Sequence, residues 1–141
     1  MAIEVKLIVD DIVDSDGKPE ERDVTAYTYQ FNKYTDSDGE VAGAARGGKI
    51  TITVKSWNES EFKLLDWLIN KTAGLKGHLE IKEIEGKTRT IYFVGAHCVE
   101  YIEEWAIKDE VHTEKITISC KKITFIKGDP KDTLAYEKDW E

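Results

Sequence analysis

Positive charge is in short supply in this sequence. Its 20 Lys and Arg face 28 Asp and Glu, giving a formal net charge of −8 over 141 residues. A surface of that sign repels phosphate, which excludes general nucleic-acid binding as the main activity. The nearest basic cluster, Lys121–Lys122, is only two residues long. Cysteine is scarce as well: Cys98 and Cys120 are the only two. They do not make a disulfide framework and read as reduced thiols packed as small hydrophobes. No apolar run approaches the ~18 residues of a membrane span. The start, "MAIEVKLIVDD", lacks a basic head followed by an apolar core, so the expectation is synthesis and folding in the cytoplasm without a cleaved signal peptide. Histidine occurs three times. His97 and Cys98 are neighbours and point to opposite faces of a strand, while His78, His112 and Cys120 have no zinc-type spacing. No local signature joins a Ser or Cys to a His and a carboxylate. The expectation is a protein without metal, cofactor or catalysis.

What is present is β-structure in a length that suits one domain. Ile3, Val5, Leu7 and Val9 alternate with other residues at a period of two. Tyr27, Tyr29 and Phe31 share a face, and Ile50, Ile52 and Val54 define a further strand of β-branched residues. One helix interrupts the run at about residues 59–72, with Asn58 as N-cap, Glu61 at capping-box spacing and Gly74 as the stop. Phe62, Leu65, Leu68 and Ile69 give it an apolar stripe. "GHLEIKEI" and "KTRTIYFVGAHCVEYIEEWA" then meet across "EGK" as a hairpin. The long second strand reads as apolar on both faces, with Ile91, Phe93 and Val99 on one and Tyr92, Val94, Ala96 and Cys98 on the other. A strand of that kind needs a cover on its outer side. In "TEKITISCKKITFI" the parity changes after Cys120, and a bulge near Lys121–Lys122 would return Ile123 and Phe125 to the side of Ile116 and Ile118. The count is six or seven strands and one helix, followed by a charged segment, 127–141, expected to be mobile or to dock on a partner through Tyr136 and Trp140.

Two motifs invite chemistry that their setting denies. "GAARGGKI", from Gly43 to Ile50, is one residue short of a phosphate loop. It follows a polar turn and opens a strand, so it offers neither a helix N-terminus nor the magnesium-binding hydroxyl. "DSDG" occurs at Asp14–Gly17 and again at Asp36–Gly39. Glycine comes too early in both for an EF-hand loop, and Asp-x-Asp-Gly is good turn chemistry in its own right.

The order of the pieces resembles a known family. An aromatic strand precedes "TDSDGEVAGAARGGKITITVKS", a helix with "LLDWL", "IYFVGAHCVEYIEEW" and "TEKITISCKKITF". Asp36, Asp38, Gly39, Arg46-Gly47-Gly48, Trp67, Ala96-x-Cys98, Tyr101 and Ile116-x-Ile118-Ser119 carry the likeness over about residues 3–126. The chain resembles the type VI secretion tube proteins, the Hcp family, and most closely the TssD branch found in Bacteroidetes.

The resemblance implies a mainly β fold: a small closed or nearly closed barrel of six to seven antiparallel strands with one helix. It implies hexameric rings that stack into a hollow tube, with secreted effectors and the sheath and spike proteins as further partners. Export would then proceed through the secretion apparatus itself, and no cofactor is involved. The barrel domain is expected over 1–126 and the charged tail over 127–141. Closure would remove the free strand edges, and a ring uses two different patches per subunit. The connection Tyr34–Gly48 is too long for a plain hairpin and is expected to reach a neighbouring subunit or ring. Its candidate contacts are Tyr34, Asp36, Asp38, Gly39, Val41, Arg46, Gly47 and Gly48; Tyr92 and Val94 join them from the long strand. The alternatives are a monomeric barrel holding a small apolar ligand and a protein like those of phage tail tubes.

Overall fold

In Lys49–Lys55 every second residue is β-branched and apolar. Ile50, Ile52 and Val54 accordingly turn inward with no solvent exposure, while Lys49 and Lys55 stay out. The same alternation sets the whole architecture in the computed structural model, which describes residues 3–56, 62–83, 86–128 and 133–137, without the side chains of 34, 42 and 44–46. Its elements are β1 (Glu4–Val13), β2 (Pro19–Tyr29), β3 (Asn32–Thr35), β4 (Val41–Arg46), β5 (Lys49–Lys55), α1 (Lys63–Asn70), β6 (Leu75–Lys82), β7 (Thr88–Ala106), β8 (Val111–Ser119), β9 (Lys122–Lys127) and β10 (Thr133–Glu137).

Six strands close an antiparallel barrel in the order β7-β6-β1-β2-β5-β8, with β8 returning to β7. Closure leaves no unpaired edge around the wall. β9 continues the line of β8 along the first half of β7, and β10 adds to the outer edge of β9. Residues 133–137 of the charged tail are thus part of the sheet. β3 and β4 form a separate two-stranded sheet.

The interior is a single apolar cluster. Leu7, Val9, Leu79, Ile91, Phe93, Ile116, Ile118 and Ile123 are all without exposure. Burying side chains of this size stabilises by about 1.5–3 kcal/mol each. Helix α1 adds Leu64 and Trp67 to the cluster, and the Trp67 ring stacks on Phe93 with centroids 6.5 Å apart. The helix departs from expectation in two ways. It begins at Lys63 after Phe62, which adopts a left-handed φ of 59°, while Asn58 and Glu61 lie outside the described residues. The buried stripe is Leu64, Trp67 and half-buried Leu68, whereas Phe62 and Ile69 are 65% and 64% exposed. The bulky indole takes the core position, which rotates the apolar face away from Phe62 and Ile69. The helix also stops at Asn70 with Lys71 extended, so Gly74 is no helix stop. A Cβ on Gly74 would meet the Gly95 backbone at 2.5 Å, so this glycine permits a close crossing.

Gly95 explains a second difference. Inside the barrel β7 presents Ile91 and Phe93, then Ala96 and Cys98, while Tyr92, Val94 and Val99 are exposed. The parity changes at Gly95, whose φ of 62° suits a residue without Cβ. β7 therefore carries apolar residues on both faces, as its alternation implied, but the change of phase redistributes them: Ile91, Phe93, Ala96 and Cys98 face inward, and Tyr92, Val94 and Val99 face outward. The expected irregularity at Lys121–Lys122 is the other half of this corner. β8 ends at Ser119, β9 begins at Lys122, and the Lys121 amide donates to the Val94 carbonyl at 3.1 Å and to that of Gly95 at 3.3 Å. Cys120 and Ile123, on either side, are both buried.

Candidate assembly surfaces

Both "DSDG" runs are turns held by the same device. Asp14 Oδ1 accepts the amides of Asp16 and Lys18, each at 2.9 Å, and Asp36 Oδ1 accepts those of Asp38 and Glu40, each at 2.9 Å. The Lys18 amide, followed by that of Asp16, holds the Asp14 carboxyl below the usual carboxylate range. The second turn converts the expected open connection into the hairpin β3–β4, with Thr35 opposite Val41. An Asx turn followed by a residue of positive φ, Gly39 at 84°, is enough to reverse the chain.

The candidate contacts fall on two surfaces. Asp36, Asp38 and Gly39 form the turn, and Val41 is 63% exposed at the start of β4. Tyr34 and Arg46 sit in β3 and β4, their side chains among those not described. Gly47 lies where a Cβ would strike the Phe31 ring at 2.4 Å, so it seats the hairpin base against its own barrel. The Gly48 carbonyl accepts the Cys120 amide at 2.7 Å. Tyr92 and Val94, by contrast, lie on the outer face of β7, 42% and 50% exposed. There a lateral row Ile8–His78–Tyr92–Thr124 crosses β1, β6, β7 and β9, with the His78 and Tyr92 rings 5.1 Å apart.

The arm formed by the second half of β7 and the start of β8 was not among the expected surfaces. β6 begins opposite Ala96 and β5 ends opposite Thr113; beyond the Ser56 amide, which donates to the His112 carbonyl at 3.0 Å, Ala106 and Val111 pair only with each other among the described residues. Ile102, Trp105, Ile107 and Val111 are 44%, 52%, 83% and 48% exposed there. The arm is internally ordered: Trp105 stacks on His112 at 4.1 Å and 16°, and His112 Nε2 lies 2.6 Å from Glu103 Oε1.

A buried polar network was also unforeseen. Arg22 donates from Nη1 and Nη2 to Glu114 Oε1 at 3.0 and 2.9 Å, and from Nη1 to the Lys55 carbonyl at 3.0 Å. Ser56 donates to Glu114 Oε1 at 2.7 Å and Tyr101 to Oε2 at 2.9 Å. Burial works to raise the Glu114 carboxyl, but the bonds from Ser56 and Arg22, the guanidinium charge and the Tyr101 hydroxyl outweigh it and hold the group below its ordinary value. Burial first, then the Glu114 carboxylate, pushes the Tyr101 hydroxyl up. The signal available in sequence was parity: Glu114 occupies the inward register of Ile116 and Ile118. The arrangement ties β2, β5, β7 and β8 together and has no substrate access, because Arg22 and Glu114 are 2% and 1% exposed.

Among the described residues the barrel interior is occupied by side chains, Trp67 and Phe93 included, which disfavours the apolar-ligand alternative. The clefts lie outside it. One of about 460 Å³ is polar and lined by Thr28, Gln30, Asn32, Lys49, Thr51 and Thr117 among others. Another, of about 330 Å³, is bordered by Tyr29, Phe31, Phe125, Leu134, Ala135 and Tyr136.

The family model for hemolysin coregulated protein Hcp (TssD) matches residues 1–141. The chain belongs to the Hcp family. Solved Hcp structures share its fold. Hcp1 from Flavobacterium johnsoniae is 22% identical with a TM-score of 0.72, the match covering 98% of this chain and 100% of that one. Hcp1 from E. coli EAEC 042 is 15% identical with a TM-score of 0.75, covering 97% and 100%. The secreted protein Hcp3 from Pseudomonas aeruginosa is 12% identical with a TM-score of 0.66, covering 99% and 100%. No curated protein matches the chain. Most Hcp-like residues recognised in the sequence are structural here. Trp67, Ala96 and Cys98 are buried in the core, and Tyr101 belongs to the Glu114 network.

Proposed function

We infer that this chain is the subunit of a type VI secretion tube, assembling into hexameric rings that stack around a hollow channel and deliver effectors to neighbouring cells. The observation that supports this best is the match to the Hcp family model over the whole chain. The physical picture agrees with it. The barrel interior is packed with apolar side chains, and large apolar side chains also remain outside at Tyr92, Val94, Ile102, Trp105 and Ile107. Exposed apolar patches on a soluble chain mark contacts with other proteins.

In this reading the role is structural. The hairpin β3–β4 supplies the contact to the next ring through Tyr34, Asp36, Asp38, Gly39, Val41 and Arg46, while Gly47 and Gly48, packed against their own barrel, anchor its base; Tyr92 and Val94 meet a neighbour in the same ring. Residues 1–126 form the tube wall, and residues 127–141 serve a further partner through β10, whose Leu134, Ala135 and Tyr136 line a cleft with Tyr29, Phe31 and Phe125. Effectors, sheath and spike components are the remaining partners, and export uses the apparatus itself.

Mass photometry of the purified chain tests the ring, with six chain masses expected; a monomer at every accessible concentration would overturn it. Arg46→Glu, or deletion within Gly39–Ala45, should leave rings intact and abolish both stacking and effector delivery. Variants that stack and deliver normally would remove the hairpin from the proposal.

A further inference from the structure

We propose that the β7–β8 arm of one copy seats on the outer sheet face around Tyr92 and Val94 of the next, so that the ring closes head to tail. The proposal rests on the ring reading and specifies which surface of this chain meets which.

The arm carries apolar groups on both sides. Ile102 and Val111 lie on the outward register with Lys115, Trp105 lies on the opposite register with His112, and Ile107 stands at the tip. Its edge along 97–106 has no strand partner among the described residues other than β8. Such an element gains by insertion against another surface, and the Trp105–His112–Glu103 cluster fixes its shape beforehand, which lowers the cost of ordering it on docking.

The receiving face is apolar at its centre and carries Lys122 at its β9 edge. Tyr92 and Val94 are exposed and Lys122 lies directly opposite Val94 on their register, while Glu80, on the same register two positions from His78, is a carboxylate of this face with Oε2 3.8 Å from His78 Nε2. The arm has the sign opposite to that of Lys122. From Val99 to Val111 it holds Glu100, Glu103, Glu104, Asp109 and Glu110 against the single Lys108. On a chain of net charge −8, Lys122 beside the apolar pair Tyr92 and Val94 is a charge of the sign that an acidic, apolar arm needs opposite it, which selects register and partner.

One chain does not satisfy both surfaces by itself. Val94 and Ile107 are 13 positions apart on and just beyond the same strand, roughly 40 Å at an extended rise. The occupant is therefore a second copy, and two different patches per subunit generate a ring or filament.

Two variants test this, both altering exposed residues: an arm variant, Ile102→Ser with Ile107→Ser, and a face variant, Tyr92→Ser with Lys122→Glu. Circular dichroism verifies that each keeps the β fold. Each alone should be monomeric by mass photometry, where the unaltered chain forms rings. Mixed in equal amounts they share one intact interface, so the mean mass should double and go no further. If either variant alone retains the unaltered oligomer, or the mixture stays monomeric, the assignment of surfaces is wrong while the ring reading stands. If the unaltered chain is itself monomeric, both fall.

Discussion

Glu114→Gln isolates the charge in the buried network from its geometry. An amide in this place can keep its oxygen at the Oε1 position, accepting from Ser56 and Arg22, and turn its NH₂ toward the Tyr101 oxygen. The charge that balances Arg22 is lost, with a guanidinium only 2% exposed left in the core. Removing one partner of a buried pair costs about 3–5 kcal/mol. Glu20 Oε2, 3.5 Å from Arg22 Nε, remains as a second anion, so the expected loss is at the low end, about 3 kcal/mol. For 141 residues unfolding with roughly 2 cal/mol/K per residue, that is a fall in Tm of about 10 °C. The pH dependence supplies a second readout. The folded carboxyl titrates below its ordinary 4.5, so its contribution is complete above that value and is lost as pH falls through the lower folded value. Urea unfolding followed by tryptophan fluorescence from pH 3 to 7, repeated at several protein concentrations to separate folding from assembly, measures both. The variant should lose stability at neutral pH and show a flatter acid limb. A loss below about 1 kcal/mol with an unchanged acid limb would refute the view that this pair holds the barrel together.

Cys98 should be inert in the native barrel: burial pushes its thiol up to about 11, so at pH 8 a thiol-specific disulfide reagent should react at least a hundredfold more slowly than in denaturant, where two thiols per chain appear. Fast native labelling at Cys98 would contradict the packing described. Tyr136→Ala removes the edge-to-face contact with Phe31 at 4.8 Å and should cost about 1–2 kcal/mol in urea unfolding without changing ring mass; a larger loss would mean that β10 is integral to the barrel. Asp36→Ala removes the acceptor of two amides, so hydrogen exchange at Asp38 and Glu40 should accelerate while the barrel midpoint stays within about 1 kcal/mol.

The sequence by itself determined the class and much of the wall. Period-two alternation in Ile50–Val54 and Ile116–Ile118 fixed which side chains face in, because consecutive Cβ atoms must point to opposite faces of a strand. The two Asp-x-Asp-Gly turns were legible because their hydrogen bonds close within five residues. The ordered motifs pointed to the Hcp family. What tertiary structure alone decided are the relations between distant residues. The helix stripe turned on which side chain the core accepts against Phe93, so Trp67 entered the core and Ile69 did not. The phase of β7 depended on a corner built jointly by Gly95 and Lys121, 26 positions apart. The Arg22–Glu114 pair spans 92 positions, and neither residue announces a buried partner until closure brings β2 and β8 to either side of β5. The arm was hidden for the same reason: its residues alternate like any strand, and only the points where β5 and β6 stop reveal that Trp105 and Ile107 stand clear of the wall.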